Sequence, residues 1–296
     1  MLNALLEVVL PVVVVLSVGY CVGRFLKPDL GGIAKITLYA LIPALTLYSL
    51  LHSTVRLEGA LRVVLGFALM VGISAIVAAR AARHYSPETR RAIIACVTTG
   101  NNGNFGLSLS LFAFGKPGLE VSVIVFIAST LNTFLVTSNV LANRPRIMEG
   151  LRETLQLPLI PCAIIGIALN AFHVTLPTGV DRGLELLSQA AVPMVLLILG
   201  LQLGASGLPK ITLPVLLASS LRVLAGPMIA FGVAAWVGAT GLERSALVLS
   251  GAMPTAVNTL ILAREFGGDV NTVAGTVLLT TAVSLPIIAL VVTLLR

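Results

Sequence analysis

Gly100-Asn101-Asn102-Gly103-Asn104-Phe105-Gly106 interrupts an apolar stretch that runs from Ala92 to Phe114. Three side-chain amides and three glycines stand where a lipid-facing helix would carry leucines. The hydrocarbon core holds no water to pair with amides, and each one left unpaired there costs several kcal/mol, so such a patch must be buried in protein or line a cavity. Glycine costs about 1 kcal/mol per residue in a helix relative to alanine. Three glycines beside three asparagines therefore predict a broken helix, although small and amide residues also line ordinary helix packing faces.

The surrounding chain is that of an integral membrane protein. Of its 296 residues, 57% are hydrophobic and 10% charged, with a mean hydropathy of +1.04. Soluble domains carry about 25% charged residues. A helical span needs about 20 apolar residues, and the charges fall between stretches of about that length. The expected fold is all-α with ten transmembrane spans, at 3–25, 33–52, 60–82, 91–114, 118–141, 157–173, 184–205, 211–237, 244–265 and 271–295. The first span has no basic leader and no small-residue cleavage site, which predicts a retained helix.

The formal net charge of +7 reports orientation. Arg24, Lys27, Lys35, Arg80, Arg83, Arg90, Arg91, Arg144, Arg146, Arg152, Lys210 and Arg264 fall in the odd-numbered connections. Only Arg56, Arg62, Lys116, Arg182 and Arg244 fall in the even ones. The positive-inside bias then puts both termini outside the cytoplasm of a bacterial-type inner membrane. No nucleic-acid partner is expected; the expected partners are membrane lipid and a small-molecule substrate, with a homodimer as the candidate assembly.

The chain also repeats itself. A shift of 154 residues lays Ala92 on Ala246, Asn104 on Asn258, Phe112 on Phe266 and Gly100 on Pro254. A shift of 150 lays Pro43 on Pro193 and Pro11 on Pro161. The order of these matches predicts a first five-span unit over 1–142, a charged linker at 143–156 and a second unit over 157–296. An odd number of spans per unit inverts the second copy, and inverted repeats with a broken helix in each are the pattern of secondary transporters.

The second break is Met253-Pro254-Thr255-Ala256-Val257-Asn258-Thr259, since proline within a span frees a carbonyl and kinks the helix. Two breaks meeting near the midplane would present two half-helix N-termini, which can hold a carboxylate without a formal counter-charge. Asn101, Asn102, Asn104, Pro254, Thr255 and Asn258 are the expected substrate contacts. Gly100 and Gly103 allow close backbone approach. Asn132 and Gln202 are lone amides suited to support or to plain packing.

Arg222, twelve residues after Lys210, falls about 18 Å along its span. It either bonds the carbonyls of a broken helix or acts on substrate or gate. Glu7 is expected to be interfacial. Cys21, Cys96 and Cys162 have no metal-ligand spacing, and His52, His84 and His173 are too scattered for a metal site or triad. The absence of a P-loop argues against direct use of ATP.

Ala252 to Asn258 followed by Leu262-Ala263-Arg264-Glu265-Phe266-Gly267-Gly268-Asp269 resembles the ninth span of the auxin efflux carrier family, which is related in fold to bile acid:sodium symporters. Arg222 to Pro227, Ile42-Pro43-Ala44-Leu45 and Val192-Pro193 are similar to it as well. That family carries an asparagine five residues before Gly-Leu-Pro. Here Asn101 takes the asparagine position, and Ser108 replaces the proline.

The resemblance implies a scaffold of spans 1, 2, 6 and 7 and a transport domain of spans 3–5 and 8–10. It also implies an organic anion, auxin-like or malate- or malonate-like, bound where spans 4 and 9 cross. The short linker is similar to the bacterial branch. The expected function is alternating-access transport of that anion without a cofactor, or its sodium- or proton-coupled symport. An intramembrane lipid enzyme would need an acid pair, histidine cluster or activated serine, which the spans lack, so no enzymatic role is expected. A binding sensor remains a further reading.

Overall fold

The computed structural model describes residues 1–26, 28–144, 146–205 and 210–296; Lys27, counted among the connections above, and Pro145, within the expected linker, lie outside them. Apart from one isolated bridge, the described residues form helices, turns and loops. In chain order the helices are α1 (Leu2–Phe25), α2 (Leu30–Leu51), α3 (Leu57–Ala81), α4 (Pro87–Thr98), α5 (Asn102–Ala142), α6 (Ile147–Leu155), α7 (Leu159–Ala171), α8 (Thr178–Ala205), α9 (Leu213–Trp236), α10 (Gly241–Ala252), α11 (Asn258–Glu265) and α12 (Val270–Leu295).

Seven of these, α1, α2, α3, α5, α8, α9 and α12, are long and apolar enough to cross a membrane, and the pair α6–α7, bent by 63°, makes an eighth candidate. Local chemistry sets their starts. Asp29 accepts hydrogen bonds from Gly31 N and Gly32 N at the head of α2. Ser86 caps α4 ahead of Pro87, which has no N–H to lose at a first turn. Asp269 caps α12 through Thr272 N.

At 41 residues, α5 would be about 60 Å long if straight, twice the hydrocarbon thickness. It is instead a hairpin. Gly115, at φ 68°, leaves the helical region just before Pro117. The arms then run antiparallel: Ser122 bonds Ser110 near the tip, Asn102 reaches Ser129 lower down, and Thr99, just before the helix, meets Thr137. The expected spans 91–114 and 118–141 are thus divided at the right place, with the first made of α4 and the first arm of α5.

The expected linker at 143–156 contains a helix. In α6, Gly150 lies against the carbonyl of Phe134, and the buried Arg146 just before the helix pairs with Glu149 and Glu153 while its guanidinium sits 4.5 Å over the Phe266 ring. Charge in this segment therefore serves one helix end and its docking.

Two cores result. The larger draws on α1, α2, α3, α5, α7, α8, α9, α10 and α12, and a smaller one joins α4 and α11 to the end of α3, Leu141 of α5, Ala218 of α9 and the first turns of α12. Helices α1 and α8 meet backbone to backbone. A Cβ on Gly200 would lie 2.2 Å from the Leu16 carbonyl, and one on Gly204 2.4 Å from that of Tyr20. Without a hydrophobic driving force between helices in lipid, such close packing is a main source of cohesion.

Candidate functional site

Between α4 and α5, Thr99 is extended, Gly100 forms a bridge and Asn101 turns the chain into α5, while residues 253–257 are extended or turned between α10 and α11. The two breaks cross. Gly100 and Thr255 form an antiparallel bridge, with Asn101 N donating to the Pro254 carbonyl at 2.8 Å and Ala256 N to that of Thr99 at 2.9 Å. Each interruption thus pairs the polar backbone that the other exposes, which is how non-helical chain is tolerated at membrane depth.

The N-terminal side of the crossing is built by asparagine. Asn101 Oδ1 accepts from Asn104 N at 3.1 Å, an N-cap on the first turn of α5. That turn, Asn102–Gly106, is π-helical, and such insertions concentrate at functional sites. Ser108 donates from its hydroxyl to the Asn104 carbonyl at 3.0 Å. It sits fully buried within a continuing helix, so the departure from Gly-Leu-Pro leaves the break where Asn101 puts it.

The C-terminal side is held by Arg222, 3% exposed, in the π-helical segment Leu221–Ala225 of α9. Its Nη1 donates to the Val97 carbonyl at 2.8 Å, its Nε to that of Met253 at 2.8 Å and its Nη2 to that of Ser250 at 2.9 Å. These are carbonyls freed at the ends of α4 and α10. Gly100 lies directly on the guanidinium, since a Cβ there would fall 2.2 Å from Nη2.

A cavity of about 440 Å³ opens beside the crossing, between α2 and α8 on one side and the α5 hairpin and α11 on the other. It runs toward the end of the molecule that carries Ala34, Leu157 and Glu265. Gly100, Asn101, Asn102, Gly103, Asn104, Asn258 and Gln202 line it.

Pro254 and Thr255 stand behind the cavity. Thr255 is fully buried, with its hydroxyl donated to the Cys96 carbonyl and its N–H to Thr280 Oγ1, so it ties the crossing together. Asn132 likewise faces inward and donates to the Thr98 carbonyl at 3.0 Å. Glu7 is at the surface, paired with Arg296 at 2.9 Å. Among the described residues no group of His, Cys, Asp or Glu is arranged to hold a metal.

Sequence reasoning overlooked the second arm of α5, where Phe126, Ser129, Thr130, Thr133 and Phe134 form a wall of the cavity. The signal was a run of hydroxyls at helical spacing. It is a weak one, because threonines satisfy themselves on the preceding turn, as Thr130 and Thr133 do on the carbonyls of Phe126 and Ser129. The buried Nδ2 of Asn101 and the Oδ1 atoms of Asn102 and Asn132 have no partner among the described residues.

The sequence pattern of the membrane transport protein family matches residues 143–292, half of the chain. A protein of Methanocaldococcus jannaschii described as an uncharacterized transporter is 28% identical over 298 aligned positions, 96% of this chain and 97% of its own. Another of the same description, from Methanothermobacter thermautotrophicus, is 27% identical over 290 positions, 94% of each chain. The resemblance noted in the ninth span thus extends to a family match over the second half and to full-length similarity with two transporters: the chain belongs to the membrane transport protein family, of auxin efflux carrier type.

Proposed function

We propose that this protein is a secondary transporter that carries a small organic anion by alternating access, through ten spans arranged as two inverted five-span repeats. The observation that carries the reading is the crossing itself, with the first turns of α5 and α11 both opening onto one cavity. Helix N-termini offer N–H groups and partial positive charge, and an anion bound there needs no cationic side chain. Asn101 adds an unpaired amide donor at the same place.

The repeat is supported by the half-helices. Helices α4 and α10 each have 12 residues and are offset by the same 154 positions as the sequence matches. The cavity lies between α2 and α8, which would belong to the scaffold, and α5 and α11, which would belong to the moving part. With the basic connections cytoplasmic, it opens inward.

Purified protein in liposomes is expected to take up a carboxylate, with uptake and binding lost in Asn101→Ala and Asn258→Ala. Absence of carboxylate transport by folded protein, with ligand binding unaltered in both variants, overturns the assignment. Sodium-coupled symport is the second reading, favoured by the unpartnered acceptors Asn102 Oδ1 and Asn132 Oδ1. Uptake that persists without sodium removes it, and uptake that survives collapse of the proton gradient removes proton coupling.

A further inference from the structure

Arg222 is a buried cation without an anion. Among the described residues no carboxylate lies within 4 Å of it, whereas the ion pairs that do form are all elsewhere. A guanidinium keeps its charge in proteins, so a full positive charge sits one backbone thickness behind the cavity wall at Gly100.

Helix ends explain how that charge is used. Each helix carries about half a positive charge at its N-terminus and about half a negative charge at its C-terminus. The ends of α4 and α10 meet at Arg222, which bonds a carbonyl of α4 and two of α10's last turn and its cap. Their summed partial charge is about −1 and is cancelled by the guanidinium. The beginnings of α5 and α11 face the cavity, and their summed charge of about +1 is left over. Asn101, 5% exposed, lines the same cavity, and its buried Nδ2 has no partner among the described residues. Among the described residues, the only ionisable side chain lining the cavity is Glu265, an acid.

We propose that Arg222 is the charge-selecting residue of this transporter: by neutralising the two half-helix C-termini it leaves the crossing with the field of one positive charge, matched to a single carboxylate. It acts through the backbone and does not touch the substrate, so it is a positioning residue. The inference rests on the organic-anion reading above and narrows it to ligands that present one negative charge to the crossing.

The test compares a carboxylate with its neutral amide, using indole-3-acetate with indole-3-acetamide and butyrate with butyramide as probes of the full-length protein in liposomes. Wild type is expected to prefer the acid. Arg222→Gln is expected to weaken acid binding by about tenfold or more, equivalent to about 1.4 kcal/mol, with the amide changed by less than about threefold. Arg222→Lys, which keeps the charge, is expected to hold the acid-to-amide ratio within about threefold whatever its effect on melting temperature.

An unchanged ratio in Arg222→Gln, or equal losses for acid and amide, overturns the proposal and marks Arg222 as a purely structural clamp. If Arg222→Gln does not fold, a ratio lost in a folded Arg222→Lys overturns it equally. Folded wild type that binds no carboxylate fails the transport reading first, whereas wild type that binds the acid while Arg222→Gln keeps the preference fails this inference alone.

Discussion

Asn101 N and the carbonyl of Pro254 lie 2.8 Å apart, a single hydrogen bond between residues at the breaks of two different helices. Everything at the site is arranged around that bond. On one side of it Arg222 gathers the helix ends, and on the other Asn101 and the first turns of α5 and α11 face the cavity.

Replacing Asn101 by aspartate separates the cap from the charge. The carboxylate can still accept from Asn104 N, and acidic groups are favoured at a helix start, so stability should change by less than about 1 kcal/mol. Uptake of a carboxylate should fall at least about a hundredfold, because a second negative charge then occupies the anion position. Melting curves and liposome uptake on the same preparation check both halves.

Gly100→Ala tests the clamp. The new Cβ would fall on Nη2 of Arg222, so the guanidinium must give up the Ser250 carbonyl or the two breaks must part. A hydrogen bond to a charged group contributes about 1.5 to 3 kcal/mol, and the expected loss in thermal or denaturant stability is of that size.

At the end opposite the cavity mouth, Lys116 at the hairpin tip lies 3.5 Å from Glu185 of α8, and His52 at the end of α2 lies 3.3 Å from Asp181. If α5 moves against α8 during transport, the Lys116–Glu185 pair must separate, whereas His52–Asp181 joins two scaffold helices and stays closed. Cysteines placed at 116 and 185 in a background without the three native ones, bridged by a short bis-thiol reagent, should stop uptake and leave binding from the cavity side intact. Unimpaired uptake in the bridged protein would show that this edge does not open.

Asp269 lies in the loop before α12. Burial raises its pKa, but hydrogen bonds from Thr272 N–H, the Thr272 and Thr89 hydroxyls and Asn271 N–H together outweigh it and hold the carboxyl below its ordinary value of 3.8. A depressed pKa means that the folded state prefers the ionised form. The stabilisation is complete above about pH 4 and is lost as the pH falls through the lower, folded value. Asp269→Ala, which also removes the cap, should cost about 1 kcal/mol at pH 7. In acid melts the gap between variant and wild type should narrow.

The sequence by itself determined the membrane class, the division between the spans at 91–114 and 118–141, and the two breaks. All of these follow from short-range chemistry: hydropathy over about 20 residues, and glycine or proline where a helix cannot continue. Asparagines in a hydrocarbon setting are legible because their cost is local and large.

Only the tertiary structure decided what the breaks do. Thr255 reads as a cavity residue from its position beside Pro254, yet both of its polar groups are spent on Cys96 and Thr280, 159 and 25 residues away. Arg222 reads from sequence as a carbonyl clamp, with a substrate or gating role as the alternative, and only the tertiary structure brings the last carbonyls of α4 and α10 to it. The hydroxyl wall of Ser129, Thr130 and Thr133 looks like ordinary back-bonded helix until α2 and α8 face it across a cavity. The physical reason is the same in each case. A polar group buried in a membrane protein must find a partner, but which partner depends on helices distant in sequence.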